Sequence, residues 1–205
     1  MNRCIVCDSN VQHTFYNILY DREILCYSCY KKFKQRNEKF NIGKVEGEIL
    51  YYYNDFFRDV LFRYKGLGDY PLKDVFLYGK NEWIKKKYKG YSIVLAPSND
   101  DVEKKRGFCH LEEIFKKLNM NIVKSFKKNK KWKQSDKKLN ERKGIQNVIK
   151  IDKNMLNEVK KVLIVDDVLT SGSTIKTMVS QMSPDIDIKV LVLASNCQIL
   201  ANEIV

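Results

Sequence analysis

The sequence lacks the features of a membrane-spanning protein and of the commonest nucleotide-binding proteins. It has no run of roughly 18 or more apolar residues, so no transmembrane helix is predicted. The opening Met-Asn-Arg-Cys has no apolar stretch typical of a signal peptide, so we expect a cytoplasmic location. No G-x-x-x-x-G-K-[ST] occurs, and no G-x-G-x-x-G follows a predicted strand, which argues against P-loop and dinucleotide sites. Internal repeats are also absent.

Acidic residues are few relative to basic ones. The 205-residue chain has 38 Lys and Arg against 25 Asp and Glu, a formal net charge of +13. Such a surplus favours anionic partners, such as nucleic acid, polyphosphate or acidic protein surfaces. Abundant Lys and Asn can also reflect AT-rich coding sequence, so charge alone leaves both explanations open.

The segment Val162–Thr174 carries the strongest chemical signal. Four apolar residues predict a buried strand of a parallel sheet, and Asp166 and Asp167 follow at the carboxyl end, where open α/β sheets bind ligands. A loop rich in hydroxyl groups then leads into a predicted helix, whose first N–H groups suit a phosphate. The loop consists of Thr170, Ser171, Gly172, Ser173 and Thr174. A ribose phosphate matches this arrangement, with the carboxylates on its hydroxyls and the loop on its phosphate. The alternative is an ordinary strand in which one aspartate caps the following helix.

This segment resembles the phosphoribosyl-diphosphate (PRPP) motif of type I phosphoribosyltransferases. The resemblance implies a type I phosphoribosyltransferase-like parallel sheet flanked by helices, and PRPP or ribose-5-phosphate as ligand. Asp166 and Asp167 would hold the ribose hydroxyls, directly or through water on Mg²⁺, and Thr170–Thr174 would surround the 5′-phosphate. Few protein ligands to Mg²⁺ are expected, because that ion keeps several waters and is held mostly by substrate oxygens.

Four cysteines near the N-terminus are spaced as in a structural zinc site. Two C-x-x-C pairs, Cys4 with Cys7 and Cys26 with Cys29, each place two thiolates on one metal and together complete a tetrahedron. A closed Cys4 site has no open position for catalysis, so its predicted role is to fold a short segment. Disulfides are the alternative, which the missing signal peptide disfavours. Cys109 and Cys197 are left over.

The remaining pattern alternates strands and helices, as in an α/β domain with a largely parallel sheet. We predict a zinc module with its connector over residues 1–42 and a phosphoribosyltransferase-like domain over 43–205. Predicted strands are Val45–Tyr53, Ser92–Pro97, Asn121–Phe126 at an edge, Lys161–Val165 and Asp187–Leu193. Predicted helical segments are Lys31–Phe40, Asp55–Lys65 with Asp55 as N-cap, Pro71–Tyr88 with a break near Gly79, Leu111–Leu118, and one after Thr174.

A Cys4 module joined to a PRPP-type domain resembles the ComF family, whose ComFC-type members serve bacterial competence for DNA uptake. Three further segments agree with that family: Phe62–Gly66, Arg106–His110, and the residues Gln134, Leu139, Arg142 and Asn147. Cys109 and His110 stand where the family usually has Asn and Gln. The resemblance implies a helicase-like ATPase partner in the DNA-uptake machinery, near the membrane but with no membrane span.

The site residues leave the reaction open. Arg106 is the best nearby cation for a pyrophosphate leaving group, so we count it with Asp166 and Asp167 as a candidate catalytic residue. Purine phosphoribosyltransferases usually carry an acid where Thr170 stands, and threonine is a poor general base. Nucleobase salvage is therefore less favoured than a competence protein, and both a phosphoribosyltransferase and a non-catalytic PRPP-binding adaptor remain alternatives.

The stretch Lys124–Lys143 is dense in lysine and contains Trp132. Basic residues with an aromatic ring are typical of single-stranded DNA binding, so contact with single-stranded DNA is one interpretation. A lid over the ligand site, formed by the lysines between 127 and 143, is a second, and a solvated loop with one packed aromatic residue is the third.

Overall fold

The computed structural model describes residues 3–11, 24–98, 100–128, 149–200 and 203–204. The helices are α1 Tyr27–Lys32, α2 Asp55–Gly66, α3 Asn81–Lys87, α4 Asp100–Arg106, α5 His110–Phe115 and α6 Ser173–Gln181. The strands are β1 Gln35–Ile42, β2 Val45–Tyr52, β3 Ser92–Leu95, β4 Ile122–Val123, β5 Phe126–Lys128, β6 Ile149–Ile151, β7 Lys161–Leu169, β8 Asp187–Ser195, β9 Ile199–Leu200 and β10 Glu203–Ile204. The 3₁₀ turns within these residues span Tyr70–Val75, Lys116–Leu118 and Lys153–Leu156.

The central sheet has the order β4-β3-β7-β8-β2-β1-β10-β9 within the described residues. The pairs from β4 through β2 are all parallel, whereas β1 runs antiparallel to β2 and β9 antiparallel to β10. The residues Val162–Val165 of β7 are fully buried, as expected for a strand covered on both faces. The predicted α/β fold with a largely parallel sheet is confirmed. A separate antiparallel pair joins β5 to β6.

Helix α2 forms where the apolar spacing predicts a helix. Its residues Phe57, Val60, Leu61 and Tyr64 are buried. The N-cap is Asn54 and not Asp55, because the Asn54 side chain accepts a hydrogen bond from the Phe57 N–H at 2.8 Å. Asp55 instead lies in the first turn, where its charge faces the positive end of the helix.

The prediction of a helical connector over Lys31–Phe40 is wrong beyond its first two residues. Helix α1 ends at Lys32, and β1 begins at Gln35 and pairs with β2 through a tight turn at Gly43 and Lys44. Gly43 has a φ of 60°, which a residue with a side chain adopts at a cost. Strand β1, which precedes the predicted domain boundary at residue 42, therefore lies in the main sheet. The boundary itself stays a prediction.

One predicted break is confirmed and two other boundaries differ from prediction. The break near Gly79 is present: Gly79 adopts a φ of 72° between the 3₁₀ turn Tyr70–Val75 and α3. Asn121–Phe126 divides between the edge strand β4 and the start of β5. Strand β7 continues to Leu169, so both aspartates lie inside the strand and not beyond it.

The N-terminal segment packs directly on the sheet domain. Leu25 is buried, and the Phe33 ring lies against Tyr51, Phe56, Phe57 and Phe76 with ring centroids 5.1–6.4 Å apart. The cysteine segment is thus attached through an aromatic cluster. None of the helices in the described part of the chain has the length and apolarity needed to cross a bilayer.

Candidate ligand site and cysteine cluster

Strand β7 carries both aspartates past the end of its neighbour β3. The last β3 residue, Leu95, pairs with Val165, and the Ala96 N–H donates to the Val165 carbonyl at 2.9 Å. From Asp166 onward the sheet neighbour of β7 is β8, with Asp166 opposite Val192. The two acids therefore stand at the carboxyl edge of the sheet, where parallel sheets bind ligands.

The two carboxylates have different surroundings, because successive residues of a strand point to opposite faces. Asp167 Oδ2 lies 2.5 Å from Lys65 Nζ and 3.0 Å from His110 Nε2. Only 12% of the Asp167 side chain is exposed. Asp166 is half-buried, and its Oδ1 accepts from the Asp167 N–H at 2.9 Å. The acids are therefore not equivalent: Asp167 is already held by a cation and an imidazole.

The hydrogen bonds around His110 define its tautomer. The guanidinium of Arg106 lies 3.1 Å from His110 Nδ1. Because arginine has only donors, Nδ1 accepts, so the ring proton is on Nε2 and is donated to Asp167. The backbone carbonyl of His110 accepts from the Tyr64 hydroxyl at 2.9 Å, which fixes the start of α5. His110 thus donates from Nε2 to Asp167 in a defined orientation.

Arg106 lies at this site but is engaged by protein groups. Its Nε donates to the Lys65 carbonyl at 2.6 Å, and another of its nitrogens contacts His110. Its predicted role towards pyrophosphate therefore stays a prediction, and in this structure the residue orders the Asp167 network.

The two aspartates have pKa values shifted in opposite directions. Burial and the adjacent charge of Asp167 raise the pKa of Asp166 above its ordinary range. Burial by itself would raise the pKa of Asp167 too, but the His110 hydrogen bond and the Lys65 charge outweigh it and hold that pKa well below the usual range. Opposed pKa values in two adjacent acids are typical of functional sites.

The hydroxyl loop leads from β7 into α6 as predicted. Gly172 is the N-cap with a φ of 67°, and among the described residues no side chain caps α6. Ser171 Oγ and Ser173 Oγ lie 2.9 Å apart on the exposed side of the loop. The Ser173 N–H points to Ser171 Oγ at 3.4 Å, and since the N-cap has no side chain, the next N–H groups of α6 stay available to an anion.

The strand end before the loop is braced by β8. Ser195, which is fully buried, donates from Oγ to the Leu169 carbonyl at 2.7 Å and accepts from the Cys197 N–H at 2.9 Å. Cys197 Sγ contacts the same carbonyl at 3.3 Å. The backbone that precedes Thr170 is therefore rigidly placed.

The four predicted ligand cysteines come together. The Sγ atoms of Cys4, Cys7, Cys26 and Cys29 all lie within 4.8 Å of one another. Cys7 and Cys26 are 3.7 Å apart, and a tetrahedron with Zn–S bonds of 2.3 Å has S–S edges of about 3.8 Å. All six cysteines are free thiols, so the disulfide alternative has no support in the geometry. The cluster can hold a metal ion, and its donor set fits zinc.

Lys65 and His110 are the site residues that the sequence did not assign. Their signals were present, since both lie in the ComF-like segments Phe62–Gly66 and Arg106–His110. Neither spacing nor periodicity indicated that the two segments converge on Asp167, 102 and 57 residues away. Trp132, Gln134, Leu139, Arg142 and Asn147 lie outside the described residues.

These features define the class: an α/β protein with two acids and a hydroxyl loop at the carboxyl edge of a largely parallel sheet, joined to a four-cysteine module. No protein-family model matches the chain. A 131-residue stretch is 32% identical to competence protein ComFC of Streptococcus pneumoniae (strain ATCC BAA-255 / R6), covering 64% of this chain and 59% of that protein. The match spans less than two thirds of the relative. The resemblance to ComFC-type proteins is confirmed.

Two solved structures with partial similarity are phosphoribosyltransferases. Adenine phosphoribosyltransferase from Saccharomyces cerevisiae is 14% identical with a TM-score of 0.39, over 82% of this chain and 88% of that one. A hypoxanthine phosphoribosyltransferase from Staphylococcus aureus is 12% identical with a TM-score of 0.32, over 68% and 73%. Similarities this low establish no shared activity.

Proposed function

We propose that this chain is a ComFC-type competence protein that binds PRPP or ribose-5-phosphate with Mg²⁺ at the carboxyl edge of β7. The observation that carries the proposal is the sequence of β7, Asp166, the hydroxyl loop and the uncapped start of α6 within the described residues. The similarity to ComFC adds the biological context.

Asp166 and Asp167 have different roles in this proposal. Asp166 accepts hydrogen bonds from the ribose hydroxyls, directly or through water on Mg²⁺. Asp167 holds Lys65 and His110 in place instead of reaching the sugar, because its Oδ2 already has two partners. Residues Thr170–Thr174 surround the 5′-phosphate with hydroxyl and N–H groups. Bound Mg²⁺ would offset the negative charge of the diphosphate.

Titration calorimetry with PRPP and Mg²⁺ tests the site. Asp166→Asn should remove most Mg²⁺-dependent affinity while the protein keeps its thermal stability. The matched control is Asp185→Asn, an exposed acid beyond the far end of α6, which should bind as the unaltered protein does. Equal affinity in Asp166→Asn and the control would place the ligand elsewhere.

The pH profile gives an independent check. Because burial and Asp167 raise the pKa of Asp166 to about 7, its ionised form increases through neutrality, and PRPP affinity should rise with pH across that range. PRPP phosphates titrate nearby, so the quantity to compare is the difference between the unaltered protein and Asp166→Asn. A pH dependence identical in both would contradict the role of Asp166.

Two finer proposals concern activity and partners. Catalysis of phosphoribosyl transfer is the alternative to a binding role. An assay of pyrophosphate release with a series of nucleobases decides between the two, and Thr170 disfavours purine acceptors.

A helicase-like ATPase and single-stranded DNA remain proposed partners of a cytoplasmic protein. Binding to single-stranded DNA should weaken steeply with salt if the exposed Lys127 and Lys128 contribute, and salt-insensitive binding would count against them.

A transformable host links the site to competence. A strain that lacks the gene should lose DNA uptake and regain it with the unaltered gene or with Asp185→Asn. Asp166→Asn should restore less if ligand binding is part of uptake. Normal transformation together with loss of growth on one nucleobase would favour salvage instead.

A further inference from the structure

Arg63, near the end of α2, joins the cysteine cluster to the ligand site. One terminal nitrogen donates to the carbonyl of Val6 at 2.7 Å, and Val6 lies between the metal-site cysteines Cys4 and Cys7. The other terminal nitrogen pairs with Asp69 Oδ2 at 2.7 Å. The Asp69 N–H donates back to the Arg63 carbonyl at 3.0 Å. Arg63 thus fixes the cysteine loop to the turn that ends α2.

The same turn of helix supplies the site. Lys65, two residues after Arg63, pairs through Nζ with Asp167 and accepts through its carbonyl from Arg106 Nε at 2.6 Å. Arg106 in turn orients His110, the second partner of Asp167. Both partners of Asp167, Lys65 directly and His110 through Arg106, therefore depend on the C-terminal end of α2, which Arg63 attaches to the cysteine loop.

The C-terminal turn of α2 has one buried face and one exposed face. Tyr64 is fully buried and donates from its hydroxyl to the His110 carbonyl at 2.9 Å, whereas the opposite face is open. Phe62 is 59% and Leu67 is 68% exposed, so packing of these side chains contributes little to placing the turn. The Lys65 side chain is itself 37% exposed. On the exposed face, the charged hydrogen bond from Arg63 to a loop that a metal would fix therefore helps to define the position of this turn, beside the packing of Tyr64.

We propose that Arg63 is a positioning residue that makes ligand affinity at the β7 edge depend on metal in the four-cysteine cluster. This inference rests on the function proposed above. With metal bound, the Val6 carbonyl is held still, and Arg63 keeps Lys65 and the Arg106–His110 pair on Asp167. Without metal the loop loosens, and the network that shapes the site loosens with it.

The experiment compares Arg63→Gln with Arg58→Gln, each loaded with zinc and stripped of it. Arg58 lies on the same helix, is largely exposed and pairs with Asp55, away from the cysteine loop. Zinc is removed with a zinc-selective chelator, and the chelator is removed before Mg²⁺ and PRPP are added. Zinc content and melting temperature are measured for every sample. Arg63→Lys provides a second variant, which keeps the positive charge but cannot bond Val6 and Asp69 at the same time.

Stripping zinc from the unaltered protein and from Arg58→Gln should lower PRPP affinity about tenfold. Zinc-loaded Arg63→Gln should show a similar loss, and stripping it should add little. The proposal is overturned if stripping leaves the affinity of the unaltered protein intact, or if Arg63→Gln still shows the full effect of zinc removal.

A second readout needs no ligand. The imidazole NMR signal of His110 is observed in a His13→Gln background, since the chain has two histidines. It should shift when zinc is stripped, and the shift should vanish in Arg63→Gln. If zinc-loaded protein binds no PRPP, the proposed function fails, and the His110 signal alone then tests whether the cysteine cluster is coupled to the site. A His110 signal that does not shift when zinc is stripped from the unaltered protein overturns that coupling.

Discussion

Asp167 is the most constrained side chain of the site. It is almost fully buried, and its Oδ2 contacts both an ammonium group and an imidazole donor. A buried carboxylate costs free energy unless hydrogen bonds and a counter-charge compensate, and Lys65 and His110 do so here. The resulting preference for the ionised form makes the charge of Asp167 a contribution to the stability of the fold.

Removing either partner of the Lys65–Asp167 pair should therefore destabilise the protein. In a double-mutant cycle of Lys65→Met and Asp167→Asn, we expect a coupling energy of about 1 kcal/mol, discounted because Lys65 is partly exposed. Urea unfolding measures it. Because the folded pKa of Asp167 is depressed, its contribution is present above its unfolded pKa of about 3.9 and is lost as pH falls below that.

The control is the pH dependence of the unfolding free energy of Asp167→Asn. Asp167→Asn should flatten the loss of stability at acid pH relative to the unaltered protein. A coupling energy near zero at neutral pH would mean that solvent already screens the pair.

Helix α2 contributes to the core, to the cysteine segment and to the site. Its buried stripe packs under Phe33, its residue Arg63 contacts Val6, and its end supplies Lys65. The helix starts at Asn54, whose side chain also donates from Nδ2 to the Lys32 carbonyl at 2.9 Å. Asn54 therefore joins the first turn of α2 to the end of α1.

Asn54→Ala should lower the free energy of unfolding by about 1 kcal/mol, the usual cost of losing an N-cap. Asp55→Ala, the residue that the sequence favoured as cap, should cost only a few tenths of a kcal/mol, about the value of an exposed charge near a helix start. Chemical denaturation of the two variants side by side measures both. Equal losses would mean that Asn54 does not act as the cap in solution.

At the scale of the whole molecule, the cysteine segment and the sheet form one packed unit among the described residues. Cys4, Cys26 and Cys29 are buried, and burial raises the pKa of the Cys4 and Cys29 thiols. Coordination by zinc would compensate by stabilising the thiolates, so metal binding would contribute to folding. The contacts of Phe33 and Arg63 would transmit that stabilisation to the sheet domain.

Cys26→Ser should release the metal and lower the melting temperature of the whole protein by several degrees, while circular dichroism keeps the helix and strand signal of the sheet. Elemental analysis of the unaltered protein should find about one zinc per chain. Cys197→Ser, outside the cluster, is the matched control. Purified protein with no zinc would contradict the assignment of the metal.

The sequence determined the features that depend on local pattern. Apolar runs, two acids and a hydroxyl loop predicted β7 and α6, because a buried parallel strand and an exposed helix start have recognisable compositions. The two C-x-x-C pairs predicted the cysteine cluster, since short ligand spacings constrain geometry directly. The parallel α/β fold followed from the alternation of these elements.

The tertiary structure decided which side chains meet at the site. The pairing of β1 with β2 through Gly43 overrode the basic, helix-like composition of Lys31–Phe40, because register depends on a partner strand. Strand alternation separated Asp166 from Asp167, and the end of α2 brought Lys65 to the latter. Contacts between residues tens of positions apart depend on packing, for which local sequence carries no signal. The division of roles between the two acids and the link from Val6 through Arg63 were therefore visible only in three dimensions.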